Sequence, residues 1–182
     1  DELFGSYRSH RLAEPLALWQ SVEKAGPEEK EVAAEIITNA GIDIYELESI
    51  LTRGDEAGRR MEQFLFDEEA KRQLYSQKML ASVGHMSTES IVRKEYKGIM
   101  ATDALNRALS LDYLTLLPDQ VLAFVDRLSM AHSVEVRPPF LDPRVVEYVS
   151  RLPSHLKIKN GRLKHILKEA MRSLLPANLI DR

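Results

Sequence analysis

The chain has 182 residues, 44% of them hydrophobic and 29% charged, with a formal net charge of −3; that is ordinary globular composition, long enough for one domain with a core of its own. Lysine and arginine are scattered along the chain, which argues against nucleic acid or an anionic membrane surface as partner. There is no cysteine, so disulfides, thiolate zinc sites and a cysteine nucleophile are excluded within these residues.

In chain order, the patterning is helical. "PEEKEVAAEIITNAG" places Pro27 and acids in a first turn, Val32, Ile36 and Ile37 as its apolar residues and Gly41 as a stop. "DIYELESILTRG" sets Ile44, Leu47, Ile50 and Leu51 at helical spacing, and "DEAGRRMEQFLF" sets Met61, Phe64 and Leu65 on one face. "STESIVRKEYKG" opens with a cap candidate, Ser87, three residues before Ser90. "TDALNRALSLDYLTLL" carries Leu105, Leu109 and Tyr113 at four-residue steps. In "PDQVLAFVDRLSMAHS", Pro118 suits a first helical position, and Val121, Val125 and Leu128 share a face. "DPRVVEYVSRL" repeats that start with Asp142 as cap and Pro143 behind it, and "GRLKHILKEAMRSLLP" reads as a helix from Gly161 to the Leu175-Pro176 break. Alternating strand runs and hairpin signals are missing; Asn160-Gly161 is a turn followed by a helix. The predicted class is all-α. No apolar run approaches the roughly 18 residues that cross a bilayer, and no signal-peptide pattern is present.

One segment resists this scheme. "VEVRPPFLDP", Val134–Pro143, holds three prolines, which forbid a regular helix or an interior strand. It is nonetheless apolar, and it carries Glu135 and Arg137 two positions apart, on one side of an extended chain. The residues by themselves predict a packing strap between two helices.

Generic catalytic templates fail. There is no Gly-rich phosphate loop, no His-Glu-x-x-His and no G-x-S-x-G elbow. His10, His85, His132, His155 and His165 are dispersed, without ligand spacing on one helix face, and read as packed or surface histidines.

Three segments carry more. "LPDQVLAFVDRLSMAHSVEVRPPFLDPRVVEYVSRLP" resembles the late signature of the asparagine synthetase family's synthetase domain. "DELFGSYRSH" resembles the end of that family's "SGxGxDELFGGYxxH", and "NGRLKHILKEAMRSLLPANLIDR" its closing "GRxKxxLRxAxxxLLPxxILxR". The three lie in the family's order, while the middle, from about Leu12 to Met100, is undiagnostic. Ser6 stands where a second glycine is usual, Gln120 where a second acid is common, and Pro138 where valine is usual.

The resemblance implies an ATP-dependent ligase that adenylates a carboxylate, usually the aspartate side chain, with magnesium. Ammonia, supplied from glutamine by a separate N-terminal glutaminase domain, then displaces AMP to give the amide. It implies that these residues are the helical C-terminal portion, residues 1–182, of an adenine-nucleotide α-hydrolase-like α/β domain whose parallel sheet and "SGGxDS" phosphate loop lie upstream. A start on Asp1 and a stop at "LPANLIDR" agree with a piece of a longer polypeptide. By the same resemblance Asp1 approaches magnesium and pyrophosphate, Glu2 shapes that edge, and Lys164 reaches the reacting phosphates; lysine suits that role as a mobile point charge. Read without the family, Lys164 is a solvated helix residue. The implied location is cytoplasmic. ATP and magnesium belong to the parent and are not expected on the isolated chain, which is expected to be inactive and, with its apolar strap bare, to self-associate. The competing readings are a related amidoligase that closes a β-lactam or peptide ring, and a stand-alone helical interaction module.

Overall fold

The computed structural model describes residues 1–52, 54–60, 66 and 68–181. Among them every regular element is helical: α1 (Arg8–Ser21), α2 (Pro27–Asn39), α3 (Ile44–Leu51), α4 (Glu56–Arg60), α5 (Glu68–Leu74), α6 (Gln77–Val83), α7 (Thr88–Gly98), α8 (Ala104–Leu114), α9 (Ala123–Met130), α10 (Pro143–Ser150), α11 (Ser154–Lys157), α12 (His165–Met171) and α13 (Ala177–Ile180). The fold is all-α. Met61, Phe64 and Leu65, read above as one helical face, lie outside the described residues.

Short polar side chains start several of these helices by accepting the first orphan amides. Asp43 takes the Tyr45 amide at 2.9 Å, Ser87 that of Ser90 at 3.3 Å, Asp103 that of Asn106 at 2.8 Å and Asp142 that of Arg144 at 2.9 Å. At the far end of α2, the Arg11 guanidinium donates to the Ala40 and Gly41 carbonyls at 2.7 and 3.0 Å. That contact ties α1 to α2.

Helix α1 packs against α2, α3 and α8. Leu12, Ile37, Ile42 and Leu47 form one core cluster there. In α2 only Ile37 of the expected trio is inside, at 1% exposure, with Ala33 one turn earlier; Val32 stays 58% exposed. The reason is the helical period: Ala33/Ile37 and Val32/Ile36 are adjacent i,i+4 stripes, and α1 and α3 together cover only the first of them. A second cluster joins α7 to α8 through Val92, Tyr96 and Leu111. A third gathers Leu3, Phe4 and Val149 with Leu141, Ile166 and Leu167, and so fastens both ends of the chain to α10.

Two expectations need correction. Pro118 does not begin a new helix. It sits in a turn of π-helix, Leu117–Leu122, that links α8 to α9 in one helical run. Proline lacks the N–H and its ring crowds the carbonyl four residues back; a widened turn accommodates both faults without ending the helix. The run Ala104–Met130 has 27 residues and a mean hydropathy of 1.3 in its most apolar stretch, enough by length and composition alone to cross a membrane. The sequence reading divided it at Pro118 and counted no such run. Its first half is core: Leu105, Ala108, Leu109, Leu111 and the ionised Asp112 are buried against neighbouring helices.

The last long helix also starts late. Residues 159–162 make a tight turn instead, with the Lys159 amide on the Arg162 carbonyl at 3.2 Å and the Arg162 amide on the Lys159 carbonyl at 2.9 Å. Asn160 and Gly161 have φ of 49° and 72°, both left-handed, as a type I′ turn demands. Lys164 is left-handed too, at φ 54°, and α12 begins only after it.

The strap is extended and ends in one 3-10 turn, Pro139–Leu141. Glu135 and Arg137, which the sequence places on one side without naming their partners, pair with each other at 2.7 Å. Phe140 meets the Phe4 ring edge-on at 5.9 Å, yet it is 53% exposed.

Candidate functional site

The first five residues form a closed turn. The Gly5 amide donates to the Asp1 carbonyl at 3.0 Å, and Gly5 itself is left-handed at φ 73°. A Cβ there would lie 2.9 Å from Ile158 Cδ1, and the left-handed φ favours glycine. Leu3 and Phe4 point into the third core cluster and act as anchors. Ser6 is absent from the left-handed residues, so serine in the place of glycine strains nothing. Pro138, at φ −81°, likewise adopts an angle that proline prefers.

From the far end of the chain, Lys164 is brought onto this turn. Its amide donates to the Gly5 carbonyl at 3.1 Å, and its ammonium makes an ion pair with the Asp1 carboxylate. Both side chains stay partly exposed, so the pair forms an accessible charged edge. Glu2 turns the other way. It is buried and accepts the Tyr7 hydroxyl at 2.6 Å. Burial pushes its carboxyl up, while the Tyr7 hydroxyl and its own backbone amide pull it down, and it lies below the usual range. The Tyr7 phenol is correspondingly raised, by burial and by that bond.

Behind the turn lies a buried polar network. The His10 imidazole Nε2 is 2.7 Å from Asp112 Oδ2, and the other Asp112 oxygen accepts from Arg60. His10 Nδ1 faces the amides of Ser6 and Tyr7 at 3.3 and 3.4 Å. A nitrogen that accepts from N–H groups carries no proton, so the proton sits on Nε2 and is donated to Asp112. Burial, the largest influence, lowers the His10 pKa against the pull of Asp112. Burial raises Asp112, while His10 and Arg60 outweigh it and keep the carboxylate ionised.

A second buried group is Lys157, only 2% exposed. Its ammonium donates to Asn106 Oδ1 at 2.6 Å, and burial pushes its pKa down to about 8 against the pull of Asp103. Glu2 and Lys157 both line a small cavity of about 280 Å³. A larger cleft of about 770 Å³ runs between α1, α3, α4 and α8, and includes none of Asp1, Glu2 and Lys164 in its lining.

With this geometry in place, the comparisons decide the family. The Asparagine synthase family model matches residues 1–182. The chain belongs to the asparagine synthase family. It is 28% identical over 118 residues to the glutamine-hydrolyzing asparagine synthetase 1 of Bacillus subtilis, covering 65% of this chain and 18% of that protein. It is 46% identical over 57 residues to asparagine synthetase 3 of the same organism, covering 31% and 9%. It is 43% identical over 60 residues to the Cricetulus griseus asparagine synthetase, covering 31% and 11%. The chain thus spans less than a fifth of these curated relatives. No solved structure matches it.

The sequence singled out Asp1, Glu2 and Lys164. The structure joins Asp1 to Lys164 and sends Glu2 inward. It adds Tyr7, His10, Arg60, Asp112 and Lys157, which periodicity could not reveal. One signal was present: Asp112 interrupts the apolar "ALSLDYL" on the core face of a helix, and a carboxylate there requires buried partners.

Proposed function

We propose that this chain is the helical C-terminal portion of a cytoplasmic ATP-dependent ligase that amidates aspartate through an aspartyl-adenylate, with ammonia drawn from glutamine by another part of the same enzyme. The observation that supports it is the Asp1–Lys164 pair. Two motifs at opposite ends of the chain meet at one exposed carboxylate and one exposed ammonium. Opposite charges placed so are suited to a metal-bound polyphosphate: the carboxylate to the metal, the ammonium to the phosphate oxygens.

The donor set fits magnesium in its usual habit, one or two carboxylates plus phosphate oxygens and water. Among the described residues no three His, Cys, Asp or Glu side chains cluster as an all-protein cage. Asp1 would hold the ion, which when bound neutralises pyrophosphate charge. Lys164 would reach the phosphates, its backbone fixed by the Gly5 carbonyl and its ammonium beside Asp1. Glu2 would hold the edge in shape through Tyr7.

The test is Lys164→Ala in the full-length polypeptide that carries this chain, measured by aspartate-dependent ATP–pyrophosphate exchange beside a thermal melt. A charge that acts on developing phosphate charge lowers kcat more than it raises KM. The expected loss is on the order of 10²-fold, the size of one such electrostatic contact. Near-normal exchange would return Lys164 to a solvated lysine; lost exchange with a collapsed melt would make it structural.

A further inference from the structure

We propose that His10 is a positioning residue for the Asp1–Lys164 edge, holding the Gly5–Tyr7 backbone from behind while Asp112 and Arg60 hold the imidazole. The proposal rests on the reading of that edge given above. His10 is the third residue of α1, and its side chain reaches back to the amides of Tyr7 and Ser6. These are amides that a helix start leaves without intrahelical partners. Glutamate or glutamine usually fills that place in a capping box. Here a histidine fills it, and like the amide group of glutamine, but unlike a carboxylate, it has a donor left to be held in turn.

Here the second nitrogen is held tightly. Asp112 takes the Nε2 proton at 2.7 Å, its other oxygen is occupied by Arg60, and the imidazole is fully enclosed. The tautomer is thereby fixed, and Nδ1 remains an acceptor aimed at Ser6 and Tyr7. From those two residues the constraint divides. Through the Tyr7 hydroxyl it reaches Glu2 at 2.6 Å. Through the neighbouring Gly5 carbonyl it reaches the Lys164 amide at 3.1 Å. With the Gly5 amide on the Asp1 carbonyl at 3.0 Å, each residue assigned to the edge is two hydrogen bonds from the imidazole, although His10 touches none of them.

The experiment compares His10→Ala, His10→Leu and His10→Gln in the full-length polypeptide. Hydrogen–deuterium exchange is read in peptides covering residues 1–7 and 160–166, with aspartate-dependent ATP–pyrophosphate exchange measured in parallel. Glutamine can accept the Tyr7 amide and donate toward Asp112, whereas leucine only fills the space. His10→Ala and His10→Leu are expected to speed exchange at the Lys164 amide roughly tenfold, the order of one lost hydrogen bond. The same two variants should lower kcat more than they raise KM, and His10→Gln should recover most of both. Leu47→Ala, a cavity in the separate α1–α3 cluster, controls for lost stability and should leave exchange in those peptides unchanged.

Wild-type protection of residues 160–166 in His10→Leu, or equal recovery by leucine and glutamine, would overturn the proposal. A wild-type polypeptide without pyrophosphate exchange would instead overturn the reading of the reaction; the deuterium measurement would still decide the role of His10.

Discussion

At the residue scale, the molecule buries charges in pairs, and Lys157 is the least compensated. Glu14 is pushed up by burial and accepts the Leu105 amide at 3.1 Å. Burial also raises Asp103, but its bonds to Asn106 prevail and keep it low. Lys157 itself has a neutral acceptor, the Asn106 amide oxygen. With a folded pKa of about 8 against an ordinary 10.5, the unfolded chain binds the extra proton between those values. Stability must then rise with pH across that window, and the cost of the buried charge is in full force below it. Relative to Lys157→Met, the wild type should gain on the order of 2–3 kcal/mol from pH 8 to 10.5, at 1.36 kcal/mol per pKa unit. Paired denaturant titrations at several pH values would show it; a constant difference between the two proteins would place the amine in water. Nothing in the residues around Lys157 announced this, since "SHLKIKN" reads as a surface segment and only tertiary packing encloses the amine.

At the element scale, the turn at 159–162 controls where Lys164 stands. Gly161 is left-handed, and a Cβ on it would lie 2.4 Å from the Ala40 carbonyl oxygen, a backbone atom that cannot step aside. The same carbonyl is bonded by Arg11, so turn, α1 and α2 converge at one point. Gly161→Ala should cost about 1–3 kcal/mol for strain at a left-handed site, with more from the clash, and should loosen the Lys164 amide from Gly5. Thermal denaturation and deuterium exchange over residues 160–166 would measure the two effects; an unchanged melt would mean that the turn shifts freely. This turn also shows what the sequence could tell. Asn160-Gly161 was legible as a turn, and the caps Ser87 and Asp142 as helix starts, because each is local chemistry. The late start of α12 was not legible, since "GRLKHIL" has a sound helical pattern, while Lys164 is left-handed where its amide meets the Gly5 carbonyl from the other end of the chain. Pro118 was misplaced for a similar reason: a π turn costs little in local terms but joins two helices that the pattern separates. The Asp1–Lys164 pair lay within reach of the family resemblance, whereas its support by His10 depends on a contact 102 residues away in sequence.

At the scale of the whole molecule, packing is uneven. Helices α1, α2, α3, α7 and α8 share buried clusters, while α9 contributes no buried residue at all. Phe124 is 64% and Leu128 52% exposed, and Val134, Val136 and Phe140 on the following strap are about as bare. A helix with its apolar residues in water is not stabilised by propensity alone. This one persists as the continuation of α8, whose core contacts anchor one end. Apolar patches beyond a few hundred Å² are uncommon on monomers and favour association. The chain by itself should therefore self-associate, and the contact should run through α9 and the strap rather than through the charged Asp1–Lys164 edge. Sedimentation or light scattering over a range of concentrations tests this directly. Phe124→Glu combined with Leu128→Glu should shift the chain towards monomer with little change in melting temperature, because neither side chain is buried. Lys164→Ala should leave the association as it is. A wild-type chain that stays monomeric at high concentration would sink the prediction. Association that survives both glutamates would move the contact elsewhere, the exposed Leu174, Leu175 and Leu179 near the C-terminus being the next apolar group.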